Sequence, residues 1–146
     1  MGFYKKIKVR NLDELESFAT ALSKCLKGDE LILLKGDLGS GKTTFTRFLV
    51  SAIDREAGEY VNSPTFSVMN EYDTEKFRIY HIDLYRVKSF DLSDILGKGI
   101  VIVEWPEDRF EEIDIPQIVL SFEIKDYDER EITVYLKGAD YIAECI

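Results

Sequence analysis

The sequence predicts a three-layer α/β fold whose mixed sheet has a parallel centre and antiparallel flanking strands. Three observations carry this prediction. The apolar run Glu30-Leu-Ile-Leu-Leu34 enters a glycine-rich stretch and then a helix-spaced segment, the strand–turn–helix order of a parallel sheet. A second apolar run, Ile100-Val-Ile-Val103, ends on an acid, Glu104. Two pairs of strand-like runs are joined by the short polar turns Asp73-Thr-Glu-Lys76 and Asp126-Tyr-Asp-Glu-Arg130, and these read as antiparallel additions.

The elements follow in order. Asn11 and Asp13 are candidate caps for a first helix, in which Leu15, Phe18, Ala19, Leu22 and Leu26 recur at helical spacing and Gly28 stands as the stop. Glu30–Leu34 is a buried strand. Thr43–Ile53 reads as the next helix, with Phe45, Phe48, Leu49, Ala52 and Ile53 available to face a sheet. After the loop Asn62-Ser-Pro-Thr65, the runs Phe66–Tyr72 and Phe77–Tyr85 form a hairpin. Alternation in the second run places Phe77, Ile79, His81, Asp83 and Tyr85 on one face. A short helix around Asp91–Leu96 leads through Gly97 and Gly99 into the strand Ile100–Glu104. Strands near Ile118–Ile124 and Ile132–Leu136 close the chain.

A length of 146 residues suits a single domain, residues 1–146, and a 45% hydrophobic content is too apolar for disorder. Its apolar runs are too short to span a bilayer, and the N-terminus lacks the apolar segment of an export signal. Cys25 and Cys145 have no Cys or His near either and are read as reduced thiols of a cytoplasmic protein. The net charge of −9 argues against the chain gripping nucleic acid by itself, because backbone affinity comes from Lys and Arg neutralising phosphates.

Gly36-Asp-Leu-Gly-Ser-Gly-Lys-Thr43 fits the Walker A pattern at every fixed position. Its glycines let backbone N–H groups curl around phosphates, and the helix that follows adds the partial positive charge of its N-terminus. Lys42 would reach the β- and γ-phosphates of ATP, and the Thr43 hydroxyl would bind Mg2+. The fold so implied is of the P-loop NTPase type.

Such a site needs a carboxylate at the end of a neighbouring strand to fix the metal or its waters. Asp83 closes Ile79-Tyr-His-Ile82 and Glu104 closes Ile100–Val103, and the C-terminal edge of such strands is where α/β sheets bind ligands. Glu104 is the better candidate for direct coordination, and it could instead, or also, orient the attacking water. His81, the only histidine, reads as a hydrogen-bonded strand residue near the site, with a general base as the alternative. Trp105 is either a core or rim aromatic, or a loop residue that reports nucleotide state or meets a partner. Pro64 restricts Ser63 to an extended conformation, which would project the Thr65 hydroxyl towards a γ-phosphate; a plain turn before a strand is the alternative.

Together these segments resemble the TsaE (YjeE) family of small bacterial ATPases. The matching pieces are Gly36–Thr44, Ser63-Pro-Thr-Phe66, Glu71-Tyr72, Tyr80-His-Ile-Asp-Leu-Tyr-Arg86 and Val103-Glu-Trp-Pro106. The resemblance implies an ATPase that acts with two partner proteins, TsaB and TsaD, in placing threonylcarbamoyl on adenosine 37 of tRNA, meeting tRNA only through the complex. It implies nucleotide contacts from Gly36, Asp37, Leu38, Gly39, Ser40, Gly41, Lys42, Thr43 and Thr44. Ser63-Pro-Thr65 becomes a switch-like loop, Asp83 a Walker-B-like acid, and Glu104 with Trp105 a second switch bearing on Mg2+. Arg130 corresponds to an arginine that lies near the nucleotide. From a different class, a small-molecule kinase of P-loop type is the competing expectation, although the chain has no arginine-rich lid segment; a module that uses ATP only as a structural switch is the third.

Overall fold

The structure, a computed structural model, describes residues 3–62 and 68–146. The elements run β1 (Phe3–Val9), α1 (Leu12–Ser23), β2 (Leu31–Lys35), α2 (Lys42–Ile53), α3 (Arg55–Gly58), β3 (Met69–Asp73), β4 (Arg78–Asp83), β5 (Ile100–Glu104), β6 (Gln117–Ile124) and β7 (Arg130–Lys137). All seven strands form one sheet in the order β1-β7-β6-β2-β5-β4-β3. The centre, β6-β2-β5-β4, is parallel, whereas β3 on one side and β7 and β1 on the other pair antiparallel. The mixed sheet expected from the sequence is therefore present.

Strand alternation divides the core into two layers of contact. Ile32, Leu34, Ile100, Ile102, Ile118 and Leu120 pack against Leu22, Phe45 and Leu49 of α1 and α2. On the other face, Leu31, Leu33, Val101, Val103 and Val119 meet Leu84, Leu92 and Phe110. That second face is covered by residues 84–96 and a 3-10 turn at Asp108–Glu112, not by an α-helix. The helix expected over Asp91–Leu96 is a turn, in which the Asp91 carboxylate accepts from Ser93 N and Leu92 O accepts from Ile95 N and Leu96 N. A six-residue segment stopped by Gly97 at φ 80° cannot repay the cost of helix nucleation.

Two further differences concern the ends of the chain. β1 was not anticipated, because Lys5, Lys6 and Lys8 obscure its alternation; as an edge strand it is suited to charges, which discourage further pairing. Cys25 and Cys145 are disulfide-bonded, with Cα atoms 6.1 Å apart, which corrects the reading as free thiols. β7 runs antiparallel to β6 and so returns the C-terminus to the sheet edge opposite the glycine-rich loop, beneath the end of α1. Among the described residues, no helix is long and apolar enough to cross a membrane.

Candidate functional site

β2, β5 and β4 are parallel, so Lys35, Glu104 and Asp83 finish at one edge of the sheet. There the chain leaves β2 as a tight loop with positive φ at Gly36, Gly39 and Gly41 (147°, 78° and 109°). A Cβ at Gly36 would lie 2.6 Å from Ser40 Oγ and 2.8 Å from Phe122 O, so the close approach of the loop requires glycine. Gly41 is the N-cap of α2 and brings no side-chain cap. The first helical bond is Phe45 N to Gly41 O at 2.8 Å, which leaves the N–H groups before it without intrahelical acceptors. Ser40 Oγ is buried with no partner among the described residues.

Lys42 opens α2 and is only 5% exposed. Its ammonium donates to Gly36 O and sits 3.7 Å from the centroid of the Trp105 ring. Burial holds the Lys42 amine below the usual lysine value, opposed in part by the carboxylates of Glu104, Asp83 and Asp37. Trp105 is the one non-glycine residue with positive φ (58°) among the described residues. It is fixed there by its N–H to Leu34 O and by the Tyr85 ring, 4.9 Å away. A left-handed aromatic residue immediately after a strand stores backbone strain.

The Thr43 hydroxyl lies 2.9 Å and 3.0 Å from the two carboxylate oxygens of Glu104. Glu104 shares the helix-facing side of β5 with Ile100 and Ile102, and is 3% exposed. Asp83 is its register partner on β4, and the Asp83 carboxylate accepts from Tyr85 N at 2.9 Å. His81 is fully buried: its Nε2 is 2.6 Å from Glu104 Oε2 and its Nδ1 is 3.0 Å from the Tyr72 hydroxyl. Burial also raises the Tyr72 phenol above its ordinary value, which keeps its proton in place.

Arg130, at the start of β7, spends its donors on backbone carbonyls. Nε and one terminal nitrogen bond Ser40 O and Gly39 O, both at 3.2 Å, while the other bonds the carbonyls of Asp126, Tyr127 and Glu129. It thus ties the glycine-rich loop to the β6–β7 turn. Ser63, Pro64 and Thr65 lie outside the described residues.

The structure brings Lys42, Thr43 and Glu104 together, with Asp83 alongside. What sequence reading missed is the role of Tyr72 as partner to His81, and the use of Arg130 as a staple on the loop. Chemically, backbone N–H groups, an uncapped helix N-terminus and one ammonium suit a polyphosphate. A hydroxyl beside a carboxylate suits a hard divalent cation. Among the described residues no cluster of three or more His, Cys, Asp or Glu could hold such an ion alone.

Comparisons with known proteins point to one family. Residues 9–132 match the model of the family described as threonylcarbamoyl adenosine biosynthesis protein TsaE. The chain is 41% identical to the tRNA threonylcarbamoyladenosine biosynthesis protein TsaE of Aquifex aeolicus, over 94% of this chain and 100% of that one. It is 36% identical to the TsaE of Bacillus subtilis, over 97% and 92% of the two chains. The crystal structure of Bacillus subtilis YdiB superposes with a TM-score of 0.78 at 26% identity, covering 99% of this chain and 94% of that one. With the family model matching residues 9–132 and these relatives covered over most of their length, the chain belongs to the TsaE family of tRNA threonylcarbamoyladenosine biosynthesis proteins.

Proposed function

We propose that this chain binds ATP and Mg2+ on Gly36–Thr43 and hydrolyses the nucleotide as an accessory subunit of the machinery that places threonylcarbamoyl on adenosine 37 of tRNA. The observation that carries the reading is the convergence of the Lys42 ammonium, the Thr43 hydroxyl and the Glu104 carboxylate at one sheet edge. Phosphate oxygens would take Lys42 from Gly36 O and the face of Trp105, and the open N–H groups of α2 would bind them from below. Thr43 and Glu104 would hold the metal, with Asp83 acting beside Glu104 directly or through a water. Bound Mg2+ would supply positive charge to the phosphates as the γ-phosphoryl group departs. Glu104 could also orient the attacking water, and Thr65 is assigned to the γ-phosphate.

The partners in this proposal are TsaB and TsaD. A chain of net charge −9 is poorly built to hold tRNA alone, so contact with tRNA would come through the complex. The test is ATP hydrolysis with and without TsaB and TsaD, for the unaltered chain and for Lys42→Ala and Glu104→Ala. Partner-stimulated hydrolysis should be lost in both variants. If both keep full partner-stimulated hydrolysis, the assigned mechanism is wrong; turnover that instead requires a small hydroxyl compound, and phosphorylates it, would identify a kinase.

A further inference from the structure

We propose that His81 and Tyr72 are positioning residues that aim the Glu104 carboxylate at the metal-binding side of the loop. The inference rests on the reading of Glu104 as a metal acid, and sharpens it.

The contacts follow from strand register. Tyr72 on β3 is opposite Ile79 on β4; His81 lies two residues further along the same face of β4 and is opposite Ile102 on β5; Glu104 lies two residues further again. Diagonal same-face neighbours on adjacent strands are within reach of long side chains. The series Tyr72, His81, Glu104 therefore climbs one step per strand towards the sheet's C-terminal edge, where it ends on Thr43 of α2. All three side chains are buried, at 6%, 0% and 3% exposure, so each bond stands in for hydration that burial removes.

The directions of the hydrogen bonds are constrained as well. A carboxylate only accepts, so Nε2 of His81 donates to Glu104 Oε2. In the tautomer with its proton on Nε2, Nδ1 presents a lone pair, into which the Tyr72 O–H donates. The phenol thereby selects the tautomer that serves Glu104. Both Glu104 oxygens face the Thr43 hydroxyl, and the His81 bond to Oε2 holds the carboxylate in that orientation. A glutamate has three rotatable side-chain bonds, and without the His81 anchor it would spread over several rotamers. Partners of this kind, one step behind a metal ligand, typically change metal affinity by about 10- to 100-fold when removed.

The experiment measures ADP binding by calorimetry, first in EDTA and then across a Mg2+ titration, for the unaltered chain, His81→Leu, His81→Gln and Tyr72→Phe. His81→Leu should raise the Mg2+ concentration for half-maximal tightening about tenfold or more while leaving affinity in EDTA unchanged. His81→Gln, whose amide can place a donor near the Nε2 position, should recover most of that loss. Tyr72→Phe removes one hydroxyl and should shift the Mg2+ midpoint in the same direction; it decides the matter if His81→Leu fails to fold. Unchanged Mg2+ midpoints, or an equal loss of affinity in EDTA and in Mg2+, would overturn the positioning role and leave the metal reading standing. If ADP affinity of the unaltered chain ignores Mg2+, the metal reading itself fails, and the positioning role with it.

Discussion

The disulfide offers a perturbation whose size can be worked from the structure. Cys25 and Cys145 are 120 positions apart, so the bond closes nearly the whole chain. In the chain-entropy model, closing a loop of that length removes about 16 cal/mol/K from the unfolded state, or about 5 kcal/mol at 25 °C. Native disulfides in small domains cost about 2 to 5 kcal/mol when removed. Unfolding entropy near 2.1 cal/mol/K per residue gives about 0.3 kcal/mol/K for a chain of 146 residues. Replacing both cysteines by serine should therefore lower Tm by roughly 7 to 16 °C. The bond joins the end of α1 to the segment after β7, at the sheet edge opposite Gly36–Thr43, so ATP affinity at 20 °C should not change. The assay is thermal unfolding of the unaltered chain with and without dithiothreitol, beside the double variant, with calorimetric ATP binding on each. A double variant that melts within about 2 °C of the oxidised protein would show that the bond contributes little to stability. One that melts lower and also loses ATP would refute the separation of staple from site.

Two other outcomes are expected at the loop. Arg130→Ala should weaken ATP binding about tenfold, because Gly39 O and Ser40 O lose the donors that set the loop's shape; Arg130→Lys should not restore it, since one ammonium cannot serve both the loop and the β6–β7 turn. Calorimetry on both variants checks this, and wild-type affinity in Arg130→Ala would exclude the staple. For Lys42, the amine of the free protein lies below the ordinary lysine value because of burial. The protonated form binds phosphate, so affinity is full below that pKa and falls as pH rises through it, with protons taken up on binding. ATP titrations in alkaline buffers of different ionisation enthalpy should reveal the uptake, and the emission of Trp105, the only tryptophan, should change as Lys42 leaves its ring. Absence of both would mean that Lys42 does not move onto the ligand.

Much of this architecture was legible from local pattern, and the remainder required knowledge of register. Leu31–Leu34 and Ile100–Val103 are short, wholly apolar and terminated by loop or acid, which is how buried parallel strands read. The glycine spacing of Gly36–Gly41 is equally local, since it answers a backbone need for positive φ. The segment Asp91–Leu96 misled because Leu92, Ile95 and Leu96 have helical spacing, yet their burial on the second face is met by one turn. β1 was hidden by its lysines, which an edge strand tolerates and a central one would not. At the site, strand-end position exposed Glu104 and Asp83 to sequence reasoning. Tyr72, Arg130 and the cysteine pair were different: each contact spans strands or chain ends whose alignment no local spacing records.

Gly36–Thr43 with Glu104 is proposed as a Mg2+-dependent ATP site, and equilibrium ATP binding with and without Mg2+ is the decisive measurement. One ATP per chain should bind, tighter with Mg2+ than in EDTA, and about 10- to 100-fold weaker in Lys42→Ala, as expected for losing a charged hydrogen-bond donor. No ATP binding by the unaltered chain, or the same affinity after Lys42→Ala, would contradict it.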